Sequence, residues 1–294
     1  MTTTDEFGVT SGTDRSSSVV APEGPAPPWT GRPRGLTVVI PNWNHRGFLP
    51  RAIRSARAAV AAVAAIGLPG EVLVIDDCSR DGSTRLLRSL AGLYGWDDVA
   101  TLFLPENVGL VKVRNIGLGR ARFSHTLFLD ADNEVLPGGV VMLLRAALAT
   151  HGAMCYGNLI DVYEGKALGI RSSDVATLRL TFEPYIDALC LVDSEQAISV
   201  GGFTRVGELG QWGDWEFAQH LISEERELVF VPTIVGFYNI LPLSMLAESS
   251  SMEAALRDKR QLERMYSQTG TREWDNQRIG RFYHPELGYL DEGW

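Results

Sequence analysis

The chain has 294 residues, 45% of them hydrophobic, and a formal net charge of −9, with a pI near 5.1. That length suits one large α/β domain or two small ones. The acidity argues against nonspecific nucleic-acid binding, which requires a basic face, and weakly against an anionic membrane surface.

Residues 1–34 are rich in Thr, Ser, Gly and Pro. They hold too little apolar surface to offset their ordering entropy, so a disordered arm is expected. No basic region followed by an apolar core marks a secretory signal, and no apolar run reaches the roughly 18 residues of a membrane span. Residues 36–40 read as a strand stopped by Pro41, 48–66 as a helix and 71–75 as a second strand. The turn Asp76-Asp77-Cys78-Ser79-Arg80-Asp81-Gly82-Ser83 follows, with Ser83 as cap of a helix over 84–94. A strand at 100–104, a helix at 110–120, a strand at 126–129 and a helix at 138–150 continue the alternation. This order predicts a mainly parallel sheet with crossover helices on its faces.

The second half is less regular. Strands are expected at 154–162, 189–192 and 228–231, the last ending at Pro232, with helices from 193 to Gly201-Gly202 and over 215–223. A charged amphipathic helix is expected over 244–266, followed by a polar tail carrying Trp274, Phe282, Tyr283, Tyr289 and Trp294. The domain reading is an arm at 1–34, a catalytic domain at 35–240 and a C-terminal helix and tail at 241–294. The domain divides into a nucleotide-binding half (35–133) and an acceptor half (134–240). Cys78, Cys155 and Cys190 form no CxxC or Cys/His cluster, so no zinc site is expected and a reducing cytoplasm fits.

The chemistry concentrates where strands end. Asp130-Ala131-Asp132 closes the apolar run Thr126-Leu127-Phe128-Leu129. Ligands of open α/β sheets sit at strand carboxyl ends, and two carboxylates there suit a hard divalent cation shared with phosphate oxygens. Such a pair also fits a capped loop, or an aspartyl-nucleophile phosphatase. That class, however, places the pair after its first strand and follows it with Thr or Val, not Asn133. Asn42 after the first strand offers an amide to a nucleobase, and Asp77 after the second offers a carboxylate to ribose or base. Both also fit ordinary turns. Lys112 and Arg114 are candidate base or phosphate contacts. Asp214, beside Trp212 and Trp215, is either a helix cap or a desolvated general base.

Taken in order, Pro41-x-x-Asn44, Asp76-Asp77-x-Ser79-x-Asp81-Gly82-Ser83, Asn107-x-Gly109, Arg114-Asn115-x-Gly117, Asp130-Ala131-Asp132, Gly201-Gly202-Phe203 and Gly213-Asp214-Trp215-Glu216 resemble the family-2 inverting glycosyltransferases of the GT-A fold. The resemblance covers roughly residues 36–235. It implies a mainly parallel sheet flanked by helices, with a smaller acceptor-side sheet. It also implies transfer of a single sugar from a nucleotide-sugar, a UDP-sugar by the family's habit, with Mn²⁺ or Mg²⁺. Pro41, Asn42, Asn44, Asp77, Arg114, Asp130 and Ala131 would meet the donor. Asp132, with Asp130 beside it, would hold the metal, and Asp214 would be the base. Position 213 is Gly where many members have Glu. The Gln-x-x-Arg-Trp motif of processive synthases is absent.

Tyr156, Asn158, Glu183, Tyr185, Asp187, Trp212 and Trp215 are candidate acceptor-pocket residues, each of which also fits plain core packing, and loop 163–180, with Arg171, is a candidate lid. The acceptor stays open between metabolite, peptide, lipid-linked sugar and glycan, and helix 244–266 is a candidate dimer contact. Two alternatives stand beside this reading: a sugar nucleotidyltransferase, which would want a Gly-rich basic loop after the first strand, and a non-catalytic sugar-nucleotide or glycan-binding protein.

Overall fold

The structure is a computed structural model. It describes residues 31–94, 99–171, 186–204 and 212–241, with short pieces at 260–261, 264–265, 280–284 and 288–292. Strands β1 (Leu36–Asn42), β2 (Gly70–Asp76), β3 (Val99–Phe103) and β4 (His125–Phe128) alternate with helices α1 (Leu49–Ala65), α2 (Ser83–Tyr94) and α3 (Leu110–Arg120). Then come β5 (Glu134–Val135), α4 (Pro137–Thr150), β6 (Met154–Tyr163), β7 (Lys166–Arg171), β8 (Leu191–Asp193), α5 (Ser194–Ser199), α6 (Gly213–Ser223) and β9 (Leu228–Asn239). A hairpin of β10 (Gly280–His284) and β11 (Gly288–Glu292) follows.

Among the described residues the main sheet has nine strands, in the order β3-β2-β1-β4-β8-β6-β9-β5, with β7 paired to β6. The β3-β2-β1-β4 half is parallel throughout. Antiparallel β8 joins this half to β6, and β6 pairs parallel with β9. The acceptor-side strands therefore extend the same sheet. Both faces are covered, which explains the continuous apolar runs of the central strands. Val38 and Ile40 pack under α1 and α4, while Val39, Ile75 and Phe128 face the other way, with Val113 of α3 and Trp215 of α6. All of this places the ends of β1, β2 and β4 on one edge.

Two prolines read as strand stops lie inside strands. In β1 the even residues bond to β2, as Leu36 N to Pro69 O and Asp77 N to Asn42 O show. The odd residues face β4, as Leu129 N to Val39 O shows. Pro41 therefore turns its missing N–H towards β4 just where that strand has ended, and costs no ladder bond. Pro232 sits where the β6–β9 register shifts between Tyr156 and Asn158, a bulge that tolerates proline. Gly157 allows it, because a Cβ there would come 2.7 Å from the Thr233 carbonyl oxygen.

Of the expected arm, only 31–34 are described, and they lie against the body: Arg32 Nη2 donates to the Leu118 carbonyl, and Ser124 N to Pro33 O. Most of the helix expected over 244–266, the tail residues Trp274 and Trp294, and Glu183 and Tyr185 lie outside the described residues. Residues 163–171 of the expected lid are the turn and strand of the β6–β7 hairpin. Among the described residues no helix is long and apolar enough to cross a membrane.

β5 is held against β9 by pairs Glu134 with Phe237 and Val135 with Gly236. Gly236 has no room for a Cβ, which would run into the Glu134 carbonyl oxygen. Gly236→Ala is expected to lower stability by about 1–3 kcal/mol, read as a shift in the urea unfolding midpoint at unchanged slope.

Candidate active site

β4 ends at Phe128, and Asp130-Ala131-Asp132 turns away from the sheet, closed by Asn133 N donating to Asp130 O at 2.9 Å. The last residue of β9 clamps this turn. Asn239 Nδ2 donates to the Asp132 carbonyl at 2.6 Å, and Asn239 N to Asn133 Oδ1 at 2.9 Å. Ala131 is buried beneath the turn, so both acids project from a rigid loop.

Helix α3 supplies three neighbouring anchors. Arg114, 4% exposed, donates through Nη2 to both carboxylate oxygens of Asp130, at 3.0 and 3.2 Å. Asn115 grips the backbone of Phe203 twice: Phe203 N donates to Asn115 Oδ1 at 2.8 Å, and Asn115 Nδ2 donates to Phe203 O at 2.6 Å. Gly117 lies on Val39, with no room for a Cβ. Gly202 takes φ +72° with the Asn115 amide where a Cβ would sit, which is why glycine precedes Phe203. Phe203 then stacks on Phe217 of α6 at 4.2 Å and meets Phe128 edge-on at 5.0 Å. That stack ties the helix carrying Asp214 to the strand that leads into the Asp130 turn.

Three carboxylates, Asp130, Asp187 and Asp214, gather around Arg114, and Asp132 lies beside Asp130. Burial opposes its charge, but Asp130, Asp214 and Asp187 more than compensate, and hold the guanidinium pKa above its usual value. Asp132 is pushed up to about 7 by burial first and by the Asp130 charge second. Asp187 rises to about 7 through burial, then through Asp214 and Asp130. Burial also raises Asp214, with Arg114 pulling the other way. Asp214 lies one residue inside α6 rather than at its cap, and its Oδ1 accepts from the adjacent Trp215 N at 2.9 Å.

The remaining candidates are arranged differently. Asp77 is buried, and its carboxylate accepts from Asn107 Nδ2 at 2.9 Å, Val108 N at 2.8 Å and Gly109 N at 2.9 Å. It latches the loop before α3, and would offer a nucleotide only its remaining lone pairs. Asn42 Nδ2 donates to Asp76 Oδ1 at 2.6 Å and to Ser79 Oγ at 3.1 Å, while its buried Oδ1 has no partner among the described residues. Asn44, at φ 58°, accepts from Arg80 N at 2.8 Å and braces the two turns against each other. Pro41 is buried beside them. Helix α2 starts at Ser83, whose N and Oγ both donate to Asp81, so the cap is Asp81. Lys112 is exposed. Tyr156 and Trp215, read as acceptor-pocket residues, are core: 2% and 0% exposed, packed in the cluster around Phe128.

Sequence reasoning missed Tyr238 and Asn239, which carry no local signal beyond a strand pattern. It also gave Asn115 no role and Asp187 no charge partner, since their partners lie far along the chain.

The mostly parallel sheet with flanking helices is the GT-A fold. The family model described as Glycosyl transferase family 2 matches residues 37–203, more than half the chain, and the chain belongs to that family. It is 30% identical over 172 residues to the succinoglycan biosynthesis protein ExoO of Rhizobium meliloti, across 58% of this chain and 47% of that protein. It is 26% identical over 220 residues to the pre-mycofactocin glycosyltransferase of Mycobacterium tuberculosis, across 71% and 43%. The chain thus spans somewhat less than half the length of these curated relatives. In fold it is similar to residues 1–349 of S. aureus TarS in complex with UDP-GlcNAc, with TM-score 0.59 and 13% identity over 80% of this chain and 72% of that one. It is also similar to a mannosyltransferase from Pyrobaculum calidifontis in complex with GDP-Man and Mn²⁺, with TM-score 0.57 and 17% identity over 74% and 60%.

A carboxylate whose folded pKa is raised binds more protons folded than unfolded between its two pKa values, so stability falls as pH rises through that window. For Asp187 the window runs from its unfolded value, about 4, to about 7. Asp187→Asn is expected to leave the Tm at pH 4 nearly unchanged and to raise it at pH 8 by about 2–4 °C, the shift that ~1 kcal/mol makes in a domain of this size. Calorimetry across pH reads it directly.

Proposed function

We propose that the chain is a metal-dependent inverting glycosyltransferase that moves one sugar from a nucleoside diphosphate-sugar, a UDP-sugar first among the candidates, to an acceptor hydroxyl. The observation that carries this reading is the meeting of Asp130 and Asp214 at the buried Arg114 guanidinium, with Asp132 beside Asp130, at the carboxyl edge of the sheet. Support comes from the fold neighbours, one in complex with UDP-GlcNAc and one with GDP-Man and Mn²⁺.

The donor set fits a hard divalent cation, since Asp130 and Asp132 repel each other and offer only oxygen. Among the described residues no three His, Cys, Asp or Glu side chains form a cage by themselves, so phosphate oxygens of the donor would complete the coordination. Asp132, with Asp130, would hold Mn²⁺ or Mg²⁺, whose chemistry there is neutralisation of the diphosphate's charge. Arg114 fixes the Asp130 carboxylate. Asp214 accepts the proton of the acceptor hydroxyl. That oxygen bonds to the anomeric carbon from the side opposite the phosphate, the carbon–phosphate-oxygen bond breaks, and its electron pair leaves with the nucleoside diphosphate. Burial strengthens Asp214 as a base.

The test is thermal-shift binding of UDP and GDP, each with and without Mn²⁺, to wild type and Asp132→Ala. A nucleotide at a hundredfold excess over Kd stabilises by ~2.7 kcal/mol. The expected result is a Mn²⁺-dependent shift with one nucleotide that Asp132→Ala abolishes. Asp214→Asn should keep that shift yet lose acceptor-dependent release of the nucleotide by about 10²-fold or more. Wild-type release in Asp214→Asn would remove the base assignment.

A further inference from the structure

One wall of the acid cluster has no part in the mechanism above. Tyr238 precedes Asn239, the residue that clamps the Asp132 carbonyl. It pairs across the ladder with Asp161 of β6. Asp161 in turn holds Arg171 of β7, whose Nε donates to Asp161 Oδ1 at 3.1 Å. The Arg171 guanidinium lies 4.1 Å over the Tyr238 ring, a stacking geometry that holds both side chains in place. Three strands therefore fix this group, yet the Arg171 side chain stays 36% exposed. Tyr238 lies within electrostatic reach of Asp187, Asp130 and Asp132, and Arg171 within reach of Asp187.

The wall thus runs from the Asp130–Asp132 turn towards Asp187, which neighbours Asp214. On the proposed function, the diphosphate lies at the first end and the attacking oxygen at the second. The glycosyl ring has to lie between them, because its anomeric carbon is bonded to one and attacked by the other. The groups there suit a hydroxyl-rich ring: a phenol and a guanidinium to donate, and the Asp187 carboxylate to accept.

We propose that Tyr238, Arg171 and Asp187 form the subsite for the donor's glycosyl ring, and that this ring is uncharged. The charge balance argues for the second part. Asp130, Asp132, Asp161, Asp187 and Asp214 stand against Arg114, Arg171 and Arg51, and two of these cations are already paired, Arg171 with Asp161 and Arg51 with Glu134. A uronate carboxylate would meet this excess of like charge, whereas a neutral hexose or N-acetylhexosamine would not. The proposal rests on the nucleotide-sugar reading and adds to it the chemistry of the sugar.

Calorimetric titration in Mn²⁺ tests both parts on the full chain. The ligands are UDP, UDP-glucose, UDP-N-acetylglucosamine and UDP-glucuronate, with GDP and GDP-mannose in parallel. The proteins are wild type, Tyr238→Phe and Arg171→Lys. The measured quantity is the ratio of Kd for the bare nucleotide to Kd for its sugar. In wild type a neutral sugar should improve affinity over the bare nucleotide, and glucuronate should bind about tenfold or more weaker than the neutral sugars. Each substitution should cut the neutral-sugar gain about 5–10-fold, the worth of one lost hydrogen bond with its partner left unpaired. The bare-nucleotide Kd should stay within about twofold. Unchanged ratios in both variants, with the nucleotide still bound, would overturn the subsite and leave the donor reading intact. Preferred binding of UDP-glucuronate would overturn the uncharged ring. Failure of every nucleotide to bind wild type would bring down the donor reading and the subsite with it.

Discussion

A guanidinium taken out of water has to be met by carboxylates, and the site is organised around that requirement at Arg114. The effective desolvation penalty for one such ion is several kcal/mol, so a single unmatched arginine here would undo much of a domain's stability. Asp130 supplies the direct hydrogen bonds, while Asp214 and Asp187 supply field. These acids come from three separate places in the chain: the turn after β4, the first turn of α6 and the segment before β8. Neutralising Arg114 therefore recruits both halves of the sheet to one point.

Helix α3 makes this possible because successive side chains face different tasks. Arg114 reaches the acids, Asn115 clasps the Phe203 backbone, and Gly117 lets the helix settle on β1. The clasp matters for geometry more than for energy. Phe203 is stacked between β4 and α6, so the separation of Asp130 and Asp214 is set by packed rings, which deform little. The same logic operates on the other side, where Asn239 holds the Asp132 carbonyl and makes the acidic turn a continuation of β9.

The acids outnumber the cations, and that excess gives the site its character. Asp132 and Asp187, both raised to about 7, are held where ionisation is costly, and a cation or a hydroxyl-rich ligand would relieve that cost. Destabilisation of this kind is tolerable only because the surrounding core is large and continuous. The cluster under α1 and α4 and the cluster under α3 and α6 cover both faces of the sheet.

The sequence by itself determined the parallel half of the sheet, its crossover helices and the placement of Asp130, Asp132 and Asp214 near strand or helix ends. Local periodicity and turn chemistry carry that information within a dozen residues. It misjudged Pro41 and Pro232, because whether a missing N–H matters depends on the neighbouring strand. It left Tyr156 and Trp215 open between core and acceptor pocket, because an aromatic side chain reads alike in both, and the structure puts them in the core. Only the tertiary structure decided that Asp77 latches a loop, that Asn115 clasps Phe203 from 88 residues away, and that Arg171 lies over the Tyr238 ring. Those roles come from pairing register and from charges brought together across the sheet, and a one-dimensional pattern holds no trace of either.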